Sequence, residues 1–280
     1  MSFPLHEKTA VITGAASGLG RAIAVALSRR GCHLALADVD EAGLEETVKL
    51  LQPVQVSVHR LDVTDRAAVA QFPELVGPVD LLYNNAGVAL DGPFEQISEE
   101  DFDWLFEINF FGVVRMTRAF LPHLRSRPEA RIINISSLFG LISPAEQCAY
   151  SASKFAVRGF SQSLRQELRG TRVGVTVVHP GGVATKIAEN ARSPAHVGPE
   201  LREERLKWAQ KLLAFPAARA GEMIVKATES RQNRVIIGPD AMLFNLLERI
   251  APHRHIHFFE WFLRKFGGWK PLSESSEKQQ

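Results

Sequence analysis

The 280-residue chain is 45% hydrophobic and 23% charged, a globular composition far from the disordered and collagen-like extremes. Its 33 Lys+Arg against 31 Asp+Glu leave a formal net charge of +2, which argues against a protein built around nucleic-acid binding. Two cysteines, Cys32 and Cys148, are too few for a disulfide framework or a four-ligand zinc site, and they suit a reducing compartment.

Met1 to Lys8 carries charge and a proline but no apolar run, so no signal peptide is expected. Thr9–Thr13 reads as a buried strand, followed by helical periodicity from Leu19 to Arg30 that Gly31 ends. His33–Ala37 is a second strand, Glu41–Leu51 a helix stopped before Pro53, and Val54–Arg60 a third strand. Thr64 or Asp65 caps a short helix that meets Pro73, and Val79–Tyr83 is a fourth strand. Ser98, with Asp101 three residues on, opens a helix running toward Leu121. Arg131–Ile135 and Val173–Val178 are further strands, separated by a helix from about Tyr150 to Arg169. Val235–Ile237 is a last short strand. This alternation implies right-handed crossovers, hence a doubly wound parallel sheet in three α/β/α layers. Ligands of such sheets bind at the carboxyl ends of the strands. No stretch approaches the ~18 consecutive apolar residues of a membrane span, so a cytoplasmic protein is expected, with peripheral membrane contact left open.

Directly after the first strand stands Thr13-Gly14-Ala15-Ala16-Ser17-Gly18-Leu19-Gly20. Glycines there let the backbone turn tightly against a pyrophosphate, and the helix that follows aims its N–H groups and positive dipole end at the anion. Arg21 follows Gly20, so the Lys-Ser/Thr pair of a triphosphatase loop is missing. Asp38 lies 18 residues past Gly20, at the end of the second strand. A carboxylate there accepts hydrogen bonds from the adenosine ribose and repels a 2′-phosphate, which favours NAD over NADP. The competing reading of Asp38 is a surface residue of an acidic turn with Asp40 and Glu41.

Four further stretches join the glycine pattern: Asn84-Asn85-Ala86-Gly87, Asn109 in Ile-Asn-Phe-Phe-Gly, Ser137 in Asn-Ile-Ser-Ser, and Tyr150-Ser-Ala-Ser-Lys154. Together with Pro180-Gly181-Gly182-Val183-Ala184-Thr185, they resemble the short-chain dehydrogenase/reductase family in its shorter, single-domain branch. The resemblance runs in order and spacing from Lys8 to Thr185. It implies a Rossmann-type sheet, a nicotinamide cofactor and a catalytic set of Asn109, Ser137, Tyr150 and Lys154. Tyr150 would exchange a proton with the substrate oxygen, Ser137 would hold that oxygen, and Lys154 would reach the nicotinamide ribose. Asn109 would hold a water that relays protons through Lys154. By position, the cofactor contacts carry over to Gly14, Ser17, Gly18, Leu19, Gly20, Asp38, Asp62, Val63, Asn85, Ala86, Gly87, Pro180, Val183 and Thr185, together with Tyr150 and Lys154. Relatives that prefer NADP carry a basic residue where Ser17 or Val39 stands here. Spacing alone already sets Tyr150 and Lys154 on one helical face, where an ammonium is expected to lower the phenol pKa.

Leu138, Phe139, Leu141, Ile142 and Pro144 lie between Ser137 and Tyr150, which points to a hydrophobic alcohol or ketone substrate or else to plain core packing. Ile187–Phe215 falls where the family has a mobile substrate lid. Cys148 has no paired His and is expected to be a small pocket or core residue. His253, His255 and His257 scatter around a helix at spacing two, so no metal site is expected.

Residues 1–240 are assigned to the dinucleotide-binding catalytic body, 241–269 to a helical extension of it, and 270–280 to a disordered tail. In the extension, Phe258, Phe262, Phe266 and Trp269 fall on one narrow helical face, widened by Phe259, Trp261 and Leu263 and opposed by Glu260 and Arg264. Arg249 to Lys270 holds five Lys/Arg and one Glu. Packing on the protein itself or on a second subunit of a homodimer or homotetramer is favoured. A lid helix and an interfacial membrane helix over 256–269 are the other readings. The leading function is NAD-dependent oxidation or reduction of a hydrophobic secondary alcohol or ketone. The alternatives are a dinucleotide-binding regulatory or membrane-associated scaffold, and the family's epimerase or dehydratase branch, whose glycine turn is spaced differently.

Overall fold

A computed structural model describes residues 2–194, 197–262 and 265. Among them, seven parallel strands form one sheet in the order β3-β2-β1-β4-β5-β6-β7. They are β1 (Thr9–Thr13), β2 (His33–Asp38), β3 (Val56–Arg60), β4 (Leu81–Asn84), β5 (Ala130–Ile135), β6 (Val173–Pro180) and β7 (Arg234–Ile237). The helices are α1 (Gly18–Ser28), α2 (Glu41–Val48), α3 (Arg66–Val76), α4 (Glu99–Phe106), α5 (Gly112–Ser126), α6 (Cys148–Glu167), α7 (Pro199–Leu212), α8 (Ala217–Glu229), α9 (Pro239–Ile250) and α10 (His255–Phe262).

The central strands read as unbroken apolar runs because both sheet faces are covered. Successive residues serve opposite layers: Ile12 and Leu81 pack with α1, α2 and α8, while Val11 and Leu82 pack with α3, α5 and α6. This is the doubly wound α/β sheet that the alternation implies, with C-terminal helices added. The strand order reverses between β1 and β4, and the crevice that opens there is where such sheets bind ligands.

Local signals held best where chemistry is local. Asp65 caps α3 by accepting from Ala67 N and Ala68 N, and Ser98 caps α4 by accepting from Asp101 N. The helix expected to end before Pro53 does so, but two other prolines are carried inside helices. Pro73 lies inside α3 and Pro122 inside α5, because Phe72, Phe120 and Leu124 are fully packed against the sheet and hold the turns around them. The helix read from Ser98 is also interrupted by a π turn at Glu107–Phe111. Helix α8 was not read from the sequence, although Ala220, Ile224, Val225 and Thr228 recur at helical spacing and are buried. It lies so close to α1 that a Cβ at Gly221 would stand 2.6 Å from the Ala22 carbonyl carbon.

Tyr83 ties the central strand to this helix. Its hydroxyl donates to Thr228 Oγ1 at 3.0 Å in the fully buried layer, and Thr228 donates in turn to the Ile224 carbonyl. Thr228→Val keeps the shape and leaves the Tyr83 hydroxyl without an acceptor. Urea unfolding is expected to register a loss of about 1–3 kcal/mol.

Candidate active site

The turn after β1 is built for close approach. Gly14 (φ 67°) and Gly18 (φ 52°) occupy left-handed backbone. A Cβ at Gly20 would stand 2.0 Å from the Gly14 carbonyl oxygen, so α1 begins directly against the turn. Gly20 itself is buried beneath the cleft rather than lining it. Ser17 makes no side-chain cap bond, and the first-turn N–H groups of α1 are left for an external acceptor. Thr13 Oγ1 accepts from Asn85 N and Ala86 N, while Asn85 Nδ2 donates to the Thr13 and Gly14 carbonyls. The Asn85 side chain thus fastens the two switch-point strands together and leaves the backbone of Ala86 and Gly87 as the cleft floor. Asp38 Oδ2 accepts from Ala16 N at 3.0 Å and Oδ1 from Asp40 N at 3.2 Å, which fixes the carboxylate at the rim. Asp62 and Val63 line the same wall, and Asp62 Oδ1 accepts from Thr64. These features fit a dinucleotide: a side-chain-free cradle, unfilled helix N–H groups and an oriented carboxylate one strand away.

Ser137, Tyr150 and Lys154 come together on one wall of this cleft of about 1540 Å³, contributed by the loop after β5 and by α6. The Ser137 hydroxyl lies on the Tyr150 phenol's side of the cleft and favours its ionised form. Lys154 Nζ donates to the Ile135 carbonyl at 3.3 Å and stands 5.6 Å from the centre of the Tyr150 ring. The expected lowering of the phenol by the ammonium is not what dominates. Burial pushes Tyr150 up to about 12, opposed by the Ser137 hydroxyl, and burial pulls Lys154 down to about 8. His179 Nδ1 lies 3.1 Å from the Ser137 carbonyl, an acceptor, so that nitrogen carries the proton. Burial holds this imidazole down at about 3, hence neutral, and it pins the Ser137 backbone from behind.

Asn109 is fully buried at the π turn and does not line the cleft. Its amide pairs with the Val88 backbone in both directions, at 2.8 and 3.0 Å, and its second N–H reaches Ser153 Oγ. That pairing holds the strand-end loop against the π turn. A Cβ at Gly87 would stand 3.1 Å from Asn109 Oδ1 and 3.3 Å from Lys154 Nζ, so glycine keeps open a small space that both share.

The turn after β6 closes the other side. Pro180, Val183 and Thr185 line the cleft, and Gly182 N donates to Asp240 Oδ2 at 2.7 Å. Asp240 comes from the first turn of α9, and its carboxylate occupies the space a Cβ at Gly181 would need. No local pattern marks Asp240, because its partner is 58 residues away. The segment after Thr185 carries α7, whose Arg205 bridges Asp91 and Glu146 at 2.8 Å each. Arg192 pairs with Asp101 and lies 3.7 Å over the Trp104 ring. The segment therefore roofs the chamber through ion pairs to two separate loops and to the first turn of α4, which spacing in the chain does not announce.

Of the apolar run, Leu138, Phe139 and Pro144 line the cleft, whereas Leu141 and Ile142 are buried away from it, and the C-terminal helices extend the apolar side. Phe139 meets Tyr150 edge-on at 6.2 Å and Phe259 of α10 at 6.1 Å, and Phe259 packs on Phe244 of α9 at 4.6 Å. Phe244 and Phe259 line the cleft. The narrow face expected of the extension is corrected here: Phe259 is the buried contact, while Phe258 is 39% exposed. Phe266 and Trp269 lie outside the described residues, as does the tail 270–280. Cys148 is also corrected. It is exposed and off the cleft, because two residues before Tyr150 is nearly the opposite side of a helix. Among the described residues no group of three His, Cys, Asp or Glu is placed to hold a metal ion.

A parallel sheet with a glycine cradle at its switch point defines a nucleotide-binding oxidoreductase fold. The family model for short chain dehydrogenases matches residues 8–196. SadH of Mycobacterium tuberculosis, provisionally named an oxidoreductase, is 41% identical over 94% of this chain and 97% of its own. A short-chain dehydrogenase/reductase from Burkholderia phymatum in complex with NAD superposes with a TM-score of 0.80 at 31% identity, covering 89% of this chain and 95% of that one. A short-chain dehydrogenase from Burkholderia cenocepacia in complex with NADP gives 0.75 at 26% identity, over 91% and 99%. The chain belongs to the short-chain dehydrogenase/reductase family of oxidoreductases, which work with a nicotinamide dinucleotide.

Burying Lys154 has a measurable cost. Its folded pKa of about 8 lies below the ordinary 10.5, so between those values the unfolded chain binds more protons and stability rises with pH. Below about 8 the full penalty applies. Lys154→Met is expected to stabilise the dinucleotide-free protein at pH 7 by up to about 3 kcal/mol, with the gain shrinking toward pH 10. Urea titrations of both proteins across that range measure it.

Proposed function

We propose that this chain is an NAD-dependent dehydrogenase/reductase that interconverts a hydrophobic secondary alcohol and its ketone. One observation carries the reading: Ser137, Tyr150 and Lys154 converge on a single wall of the cleft whose floor is the glycine cradle. When bound, the nicotinamide supplies or accepts the hydride. In reduction, Tyr150 Oη gives its proton to the substrate oxygen, and the Ser137 hydroxyl holds that oxygen in place. The buried phenol parts with its proton reluctantly, and the Lys154 ammonium, close enough to act, stabilises the phenolate as it forms. Lys154 then returns a proton to Tyr150. The space beside Gly87, between Asn109 Oδ1 and Lys154 Nζ, suits a relay water. Oxidation runs the same transfers backwards. Phe139, Phe244, Phe259 and Trp208 give the substrate chamber its apolar character.

Asp38 supports NAD over NADP. Its carboxylate is held at the rim by two backbone N–H groups, where a 2′-phosphate would meet like charge. The neighbouring Arg21 is committed to the Ala16 and Gly43 carbonyls, Thr47 and Glu46, and does not serve a phosphate.

Tyr150→Phe is expected to lower kcat by about 1000-fold or more while leaving NADH binding within about 2-fold, as read by NADH fluorescence and turnover on a panel of apolar ketones. Retained turnover would refute the mechanism. kcat/KM for NADH is expected to exceed that for NADPH by about 10-fold or more, and Asp38→Ser to erase most of the difference. A wild-type preference for NADPH would refute the role given to Asp38.

A further inference from the structure

Helices α9 and α10 have two apolar sides. The inner side supplies Phe244 and Phe259 to the cleft. On α9 the outer side exposes Met242, Leu243, Leu246 and Ile250, which lie within about 100° of one another around the helix axis, at 100° per residue. Leu246 is 53% exposed and Ile250 72%. On α10 Phe258 and Trp261 stack at 5.5 Å and are also exposed, Trp261 by 47%. Leucine, isoleucine and methionine in such number on an outer helical face are unusual for a protein surface that meets water alone.

The exposed charges around this face are cations. From Ala241 to Lys265, the exposed charged side chains among the described residues are Arg249, Arg254 and Lys265, all cations. Glu248 and Glu260 are partly buried. Lys265 stands over the Trp261 ring at 4.8 Å, so a cation and an aromatic plane share one spot. Apolar and aromatic side chains rimmed by cations match the boundary between acyl chains and anionic headgroups. A second copy of the chain matches it poorly, since an isologous contact would set the cation rim against itself. No helix among the described residues is long and apolar enough to cross a membrane, so the contact is with the surface.

We propose that the outer face of α9–α10 docks on anionic lipid surfaces. Docked there, the helices that wall the substrate chamber rest on the phase in which a hydrophobic alcohol or ketone dissolves. This last consequence rests on the oxidoreductase reading above; the docking itself does not.

The test is sedimentation of the full chain with vesicles of phosphatidylcholine alone or mixed with phosphatidylglycerol. The wild type is expected to pellet with the anionic vesicles, several-fold less with the neutral ones, and less as salt is raised. Leu246→Glu with Ile250→Glu is expected to cut pelleting by about 10-fold. Arg249→Glu with Arg254→Glu provides a second, independent loss at exposed positions, should the first pair unfold the chain. Retained NADH binding shows that either variant is folded. Light scattering reports the oligomer. Equal pelleting by wild type and folded variants overturns the proposal, as does equal pelleting on both vesicle types. So does a wild type that stays in solution while the Leu246/Ile250 variant loses a subunit partner, which would make the face a self-interface. Tyr150→Phe is expected to pellet like the wild type, so a failed reaction and a failed docking are read separately.

Discussion

The closeness of α1 to the turn that precedes it is the constraint around which the cleft is built. With the Gly14 carbonyl where a Cβ of residue 20 would need to be, no side chain fits between strand and helix. The helix N-terminus therefore stands directly over the crevice at which the strand order reverses. Thr13 and Asn85 then fasten β1 to the loop after β4, and that loop continues through Gly87 to Val88, where Asn109 holds it. The floor of the dinucleotide cleft and the support of the wall that carries Tyr150 and Lys154 are one connected piece of backbone. A side chain inserted at the first turn would be felt at both.

That wall trades stability for chemistry. Lys154 is an ammonium placed where burial disfavours its charge, and Tyr150 a phenol placed where burial disfavours its ionisation. Both perturbations come mainly from lost hydration. Side chains around this wall hold the neighbouring backbone in place. Neutral His179 grips the Ser137 carbonyl, Ser136 Oγ donates to the Lys154 carbonyl, and Ser153 Oγ donates to the Tyr150 carbonyl. Side-chain hydroxyls and an imidazole thus lock the backbone that carries the catalytic candidates.

The apolar side of the cleft is assembled differently. Its roof is fastened by ion pairs from Arg205 and Arg192, and its far wall by ring contacts running from Tyr150 through Phe139 and Phe259 to Phe244. The C-terminal helices are therefore not an appendage to a finished enzyme. They close the chamber, and Asp240 at their start also ties down the glycine turn after β6. A near-neutral whole-chain charge conceals an uneven distribution, because the five Lys/Arg and one Glu from Arg249 to Lys270 offset a slightly acidic remainder.

Much of this was legible from the residues alone. The strands, the glycine cradle, Asp38 and the Ser137–Tyr150–Lys154 set follow from patterns that are local, or from fixed spacing on one helix, and the tertiary structure brings all of them to one cleft. Less local chemistry was missed. The helix-stopping effect of Pro73 and Pro122 yields to packing on the sheet, the π turn at Asn109 is formed with a loop 21 residues earlier, and burial rather than the nearby ammonium dominates the Tyr150 phenol. The partners of Asp240 and Arg205 lie 58 to 114 residues away in the chain. Amphipathic spacing could say that the last helices have an apolar face, but not that Phe259 rather than Phe258 turns inward. The fold class and the candidate reacting groups were thus legible in sequence, because each rests on patterns within a few residues. Which side chains enclose the apolar chamber was decided only in three dimensions, because that enclosure is made of elements that meet nowhere else along the chain.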